Sequence, residues 1–503
     1  MPRGTDLKHL HAGLRCAAGH VRCRSLCLLF FNVTGLLAAQ IFAWRLRTAA
    51  CSAALVLAAA VLPSPALAQG RCVDETEGNT AANGGSERTG SASPGNAPHA
   101  DPRAALQLLV REALVRSHQV GAAQLNADAA LDDIAETRAG KSLQASFGGG
   151  LGPGGSQTLV GSENTPLQFR ASVNAGQLLY DGGRVDRLTD WRTQLAESAR
   201  YGHLNVSEQL ALNTISLALE RSRYHQHVLV YGQQVRKMAC LVQALDTIVR
   251  ADRGRASELV QARKSLQQAE LSHTQAQSQV KQVEVRLKRL VGDVLPSPHG
   301  LSTALLDVPD LLALQDDVER SSEVAALTAQ AKAMERYMQA LAATTKPQIS
   351  WNFSGAQAAG AGGKAGNTRS NNYALGMAVN IPLITPTALP ATAAARKRAR
   401  AAELQRSEAI EARRFRAAEV HEQAHSTFDR ARRVGAVLRD SEQVRNFTLQ
   451  QWQQLGKRSL FDVMGAESDH FNLRISYVNA LHDGQQLNAN LLSLGRGVTE
   501  WLK

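Results

Sequence analysis

The sequence predicts an α+β membrane protein built on a duplicated unit, in which a β-hairpin is followed by long antiparallel coiled-coil helices. Three observations carry that expectation. Four short segments alternate apolar and polar residues with a period of two. Apolar residues recur at three- and four-residue spacing over stretches free of proline, one of them from about 391 to 455. The order of these elements then repeats at an offset of 206: LQASF (143–147) lies over ISWNF (349–353), and SVN (172–174) over AVN (378–380). A period of that size marks a domain duplication rather than a short solenoid repeat.

The chain begins with a targeting segment, residues 1–68. A basic stretch, RLR (45–47), precedes the apolar run 49–62 and the small-x-small cleavage site Ala66-Leu67-Ala68. An upstream uncharged run, 26–44, is long enough to span a bilayer. Two readings of it stay open, an inner-membrane segment or sequence ahead of the true start codon. Half of the formal net charge of +12 falls before residue 69, so the remainder is weak ground for a nucleic-acid partner and none is expected. Four of six cysteines also precede that point; Cys72 and Cys240 imply no disulfide framework. Residues 69–101, rich in Gly, Ser, Asn and Thr, read as a flexible leader.

The first repeat is expected over 102–295. Its helices fall at about 102–140, 184–250 and 255–291, and its strands at about 142–151 and 166–177. The second is expected over 296–503, with strands at about 347–354 and 372–382 and helices at about 313–345, 388–455 and 458–494. In the strands, Phe147, Phe169, Val173, Trp351, Phe353, Tyr373, Leu375, Met377 and Val379 fall on one face, while Gln, Ser, Asn and small residues fill the other. Alternation of this kind gives one greasy and one wet face, and 9–11 residues suffice to cross a bilayer when tilted. A soluble four-stranded sheet on helices would show the same alternation. Against it stand the small polar residues on all four wet faces, the arrangement in two hairpins only, and the signal segment. Four strands cannot close a barrel, so a membrane β-structure here must be shared between chains. Breaks at Gly254 and Gly456 are the places where the long helices turn back.

Three motifs invite a chemical reading. HEQAH (421–425) fits a zinc-binding H-E-x-x-H, but its flanks are coiled coil and no third ligand is marked. GLGPGG (150–155) and GAGGKAG (360–366) fit loop composition better than phosphate binding, because neither opens a helix in the required way. No catalytic constellation, metal site or cofactor is expected.

The ordered set of elements resembles the TolC-like outer-membrane channel-tunnel family (outer membrane efflux proteins) over roughly 102–500. QLLYDGGR (177–184) and VNIPL (379–383) look like the family's strand-to-helix turns, and GRASELVQAR (254–263) and GKRSLFDVMGAE (456–467) like its two helical-hairpin tips. The resemblance implies a trimeric twelve-stranded β-barrel in the outer membrane of a Gram-negative bacterium, continuing as an α-helical periplasmic tunnel. It implies an exit duct for type I protein secretion, of the cyclolysin-export kind, or for efflux. Its partners would be a periplasmic adaptor (membrane fusion protein) and an inner-membrane ABC or proton-driven transporter. It places a gate at Gly254, Glu258, Gly456, Arg458, Ser459 and Asp462, with an Arg458–Glu258 bridge holding the tips shut and Asp462 in a pore-lining carboxylate ring. Where the family has a second acidic ring this chain has Gly465, which implies weaker cation selectivity. The alternatives are a periplasmic adaptor, which would carry lipoyl-like and β-barrel domains, and a coiled-coil scaffold, which would need no strands.

Overall fold

The computed structural model describes residues 101–153, 167–298, 300–361, 368–455 and 458–503. The signal segment, the run 26–44, the leader before residue 101, Gly456 and the centres of both strand-connecting loops lie outside them. The elements in order are α1 (Pro102–Arg116), α2 (His118–Ala139), β1 (Gln144–Pro153), β2 (Leu167–Tyr180), α3 (Arg184–Ala251) and α4 (Ala256–Val291). A linker then leads to α5 (Leu311–Val318), α6 (Ser322–Ala342), β3 (Gln348–Ala361), β4 (Thr368–Asn380), α7 (Ala388–Leu455), α8 (Leu460–Leu494) and α9 (Val498–Leu502).

Two differences from the sequence reading have local causes. The stretch 102–140 is two helices, because Ser117 leaves the helical region (ψ 113°) and caps the second, its hydroxyl accepting from the Val120 N–H at 3.3 Å. The strand from Gln348 runs to Ala361, seven residues beyond 354, because small residues there keep pairing with β4. Cys240 is disulfide-bonded, a pairing that the spread of cysteines did not imply.

The four strands form one antiparallel sheet in the order β1-β2-β3-β4, so β2 and β3 join the two hairpins while β1 and β4 are open edges. The register aligns Phe147 with Val173, Gly355 and Tyr373, and Ala175 with Phe353 and Leu375. Trp351 lies opposite Gln177 and Met377. All nine apolar residues named from the sequence therefore share one face. Phe147 is 75 % exposed and Tyr373 86 %, so no described residue covers them. Near the helical end, the Trp351 indole N–H donates to Gln177 at 3.3 Å, an aromatic body with a wet tip.

The passage from β2 to α3 shows why DGG is written there. Gly182 and Gly183 both take positive φ (66° and 81°), where a side chain is strained. The buried carboxylate of Asp181 then accepts from the N–H groups of Gly183 (3.0 Å), Arg184 (3.1 Å) and Val185 (2.7 Å), satisfying the first turn of a 68-residue helix. At 1.5 Å per residue that helix is about 100 Å long. The two hairpins have matching dimensions: α3 and α7 have 68 residues each, and α4 and α8 have 36 and 35.

Packing order follows the sheet. In the half nearer the strands the helices run α2–α3–α6–α7; in the far half they run α4–α3–α8–α7. Where the halves meet, Leu106, Leu109, Ile215, Leu219, Leu287, Leu301 and Val498 form the largest core cluster. Buried amides of α8 strap the linker to it. Gln485 donates to the carbonyls of Leu301 (2.9 Å) and Ala304 (2.6 Å), and Asn488 to that of Leu305 (2.7 Å), which holds a positive φ of 55°. The Glu208 carboxylate holds the start of α9, accepting from the N–H groups of Val498 and Thr499.

Replacing Asp181 by Ala removes three capping acceptors at a buried junction and is expected to cost about 2 kcal/mol, at the upper end for a cap. Thermal unfolding followed by circular dichroism measures it, and Asp181→Asn should recover part of the loss. An unchanged midpoint for the Ala variant would rule out the capping role.

Candidate functional site

The two hairpin tips come together at the end farthest from the sheet. The first turns through a single 3₁₀ turn, Arg253–Arg255, after α3; Asp252 accepts from the Gly254 N–H at 3.0 Å. The second re-enters the helix at Ser459, whose hydroxyl accepts from the Asp462 N–H while the Asp462 carboxylate accepts from the Ser459 N–H, both at 3.3 Å. Met238, Leu241, Leu245, Leu259, Ala262, Trp452, Leu460, Val463 and Met464 make one apolar cluster from all four long helices.

The gate residues named from the sequence sit on this end, but not in the pairs expected. Glu258 is half-buried and pairs at 3.3 Å with Arg255, the last residue of the turn before its own helix. Arg458 donates to Gln451 at 3.2 Å and lies 3.9 Å from Asp462. Within one chain, among the described residues, Arg458 and Glu258 do not meet. Asp462 is half-exposed and serves both the cap and the Arg458 contact.

Above the apolar cluster lies a charged group that sequence reasoning missed. Glu467 on α8 is 0 % exposed, with Lys237 of α3 at 3.7 Å and Arg445 of α7 at 3.9 Å. It was findable: Leu460, Val463, Met464, Glu467 and Phe471 follow helical spacing, so a carboxylate stands in the apolar stripe. Farther along, Arg223 of α3 donates to Asn479 (2.9 Å) and Asp483 (3.1 Å) of α8, and Arg430 of α7 lies 3.7 Å from Asp483. His227 Nε2 sits 2.9 Å from the same Asn479 oxygen. Burial first, then the nearby Arg223 cation, pushes its pKa down to about 4, against the Asn479 hydrogen bond. His482, also buried, is lowered chiefly by burial.

The H-E-x-x-H motif lies on α7 with its rings edge to face, 4.5 Å between centroids. Among the described residues no group of three His, Cys, Asp or Glu is placed to hold a metal ion. No described helix is long and apolar enough to cross a membrane.

Residues 109–293 match the family model described as outer membrane efflux protein. The fold resembles CusC, with a TM-score of 0.69 and 17 % identity over 79 % of this chain and 93 % of that one. It also resembles VceC of Vibrio cholerae (0.65, 16 %, 78 % and 97 %) and the MtrE outer membrane channel of Neisseria gonorrhoeae (0.64, 15 %, 78 % and 89 %). No curated protein matches the chain. Over its first repeat the chain is similar to the outer membrane efflux protein family, and over most of its length it shares the fold of these channel proteins.

Two stability measurements follow from the buried polar groups. Glu467→Ala leaves Lys237 and Arg445 buried without the carboxylate and should cost about 3–5 kcal/mol. A chemical-denaturation midpoint equal to wild type would show that the group contributes nothing. His227 has a folded pKa below its ordinary 6.5, so the unfolded chain takes the proton more readily. Its stabilising contribution is complete above about pH 6.5 and falls away as pH drops toward 4, by up to about 3 kcal/mol. His227→Gln should flatten the unfolding midpoint across that window.

Proposed function

We propose that three copies of this chain form the outer-membrane exit duct of a tripartite export machine. Each copy contributes four strands to a twelve-stranded barrel, and the long helices continue it as a periplasmic tunnel. The observation that carries the reading is the sheet: a continuous apolar face, a small polar opposite face, and two edges with unpaired backbone. Backbone polar groups in hydrocarbon must be hydrogen-bonded, so such a sheet becomes stable in lipid only when its edges are closed by further copies. The apolar face then meets lipid, the row of Gln, Ser, Asn and Gly lines water, and Trp351 lies at the interface.

Transport through the duct is passive. The tips are its controlled end, where a periplasmic adaptor docks and an inner-membrane ABC or proton-driven transporter delivers cargo. Type I protein secretion and small-molecule efflux use the same duct geometry, and Gln69, standing where a lipid-attachment Cys would follow the cleavage site, leans toward secretion. The Arg458–Glu258 bridge, absent within one chain, belongs between tips, where it replaces the Arg255–Glu258 and Arg458–Asp462 contacts. A ring of three Asp462 carboxylates favours cations.

Outer-membrane extracts should yield a trimer in detergent by light scattering, and a monomer soluble without detergent would overturn the proposal. In planar bilayers, Arg458→Glu should raise conductance, with an unchanged value counting against a gate at the tips. Asp462→Asn keeps an oxygen for the Ser459 cap while removing charge, so it should lower cation selectivity without unfolding the helix start.

A further inference from the structure

The helical wall has open edges just as the sheet does, and their charges are complementary. Nearer the strands the order α2–α3–α6–α7 leaves α2 at one side and α7 at the other. The inner face of α2 is engaged: Val120 is buried, and Asp133 pairs with Arg192 of α3 at 3.1 Å. Its opposite face carries exposed Leu125, Asp128, Asp132 and Glu136. On α7, Ala395 and Ala402 are buried, whereas Lys397, Arg400 and Leu404 are exposed, Lys397 and Leu404 on the far side. Arg396 and Arg400, on the flank, line the groove toward α6 with Glu335 and Lys332. Among the described residues, Asp128, Asp132, Lys397 and Arg400 have no ion-pair partner in their own chain.

The heights match as well. α2 climbs toward β1 and α7 descends from β4, so distances can be counted from their sheet-proximal ends, Ala139 and Ala388. At 1.5 Å per residue, Asp132, Asp128 and Leu125 stand about 10, 16 and 21 Å from the end of α2. Lys397, Arg400 and Leu404 stand about 14, 18 and 24 Å from the start of α7. The steps run four then three residues on one helix and three then four on the other, so two salt bridges and one apolar contact register together along antiparallel helices.

We propose that Asp132 and Asp128 on α2 of one copy clasp Lys397 and Arg400 on α7 of the next, with Leu125 against Leu404, sealing the seam directly below the barrel. The inference rests on the trimeric reading and names the partner face that reading requires. The occupant is a second copy of this chain, because the two faces lie on opposite open edges of one wall and carry opposite charge at equal height.

Paired cysteines test the contact in membranes. Asp132→Cys with Lys397→Cys should give a covalent trimer on non-reducing gels after mild oxidation, since α3 and α6 separate the two positions within a chain. Asp128→Lys with Asp132→Lys should lower the trimer fraction in detergent by roughly threefold or more, because like charges then face each other. Adding Lys397→Asp and Arg400→Asp should restore it. A trimer that neither cross-links nor responds to the reversal overturns the clasp and leaves the trimeric reading standing. A wild-type chain that is not a trimer removes both. If the reversed variant fails to fold, the cysteine pair still decides.

Discussion

The structure depends on one constraint, the pairing of backbone N–H and C=O groups where water is absent. A four-stranded sheet has two edges, and an edge in hydrocarbon costs several kcal/mol for each unpaired group. The chain makes no attempt to blunt β1 or β4 with charge, bulge or proline in their central spans, the devices by which soluble sheets protect edges. It keeps them long and small-sided instead. The register also keeps Phe147, Phe169, Val173, Trp351, Phe353, Tyr373, Leu375, Met377 and Val379 on the same side from β1 to β4. In the proposed trimer a surface of that kind is a fragment of a closed wall.

The helices extend the same logic outside the membrane. Ala/Gln/Arg-rich helices of this length are marginal alone and take their stability from tertiary packing. In the chain, α3 spans the full height and is covered on both flanks, by α2 and α4 on one side and α6 and α8 on the other. In contrast, α7 presents one flank along its whole length. Phe415, Val437, Val444 and Phe447 remain exposed there, and Val260, Leu271 and Val285 are exposed on α4. Apolar side chains on two free flanks of one wall are what closing the wall would cover.

Much of this was legible in the sequence, because periodicity survives low identity. The shift from period two to period 3.6 marks the strands and helices, and proline-free runs mark α3 and α7. Local chemistry was less legible. The DGG turn was visible as a motif, but that Asp181 would turn inward and cap α3 depends on burial by residues far away in sequence, such as Lys346, which packs on Gly182. The break at Ser117 needed capping geometry that Ser-His-Gln does not announce. Glu258 and Arg458 could be placed on the tips, yet their partners could not be read. Arg255 and Gln451 are near in sequence and reach them first, while a partner on another chain leaves no trace in a single sequence.

Those local partners bear on how the tip of the proposed duct would be both shut and ready to open. Exposed ion pairs contribute about 0–1 kcal/mol each. The proposed bridge between tips, which would first give up Arg255–Glu258 and Arg458–Asp462, is therefore an exchange of near-equal contacts, and cheap in either direction. Cohesion within one copy comes from elsewhere: the apolar cluster of Met238, Leu241, Leu245, Trp452 and Leu460, topped by buried Glu467 between Lys237 and Arg445. Apolar packing tolerates slippage, whereas a buried carboxylate is favourable only where both cations meet it. The buried charges thus fix the register of α3, α7 and α8, and the exposed charges at the very tip are left free to change partners.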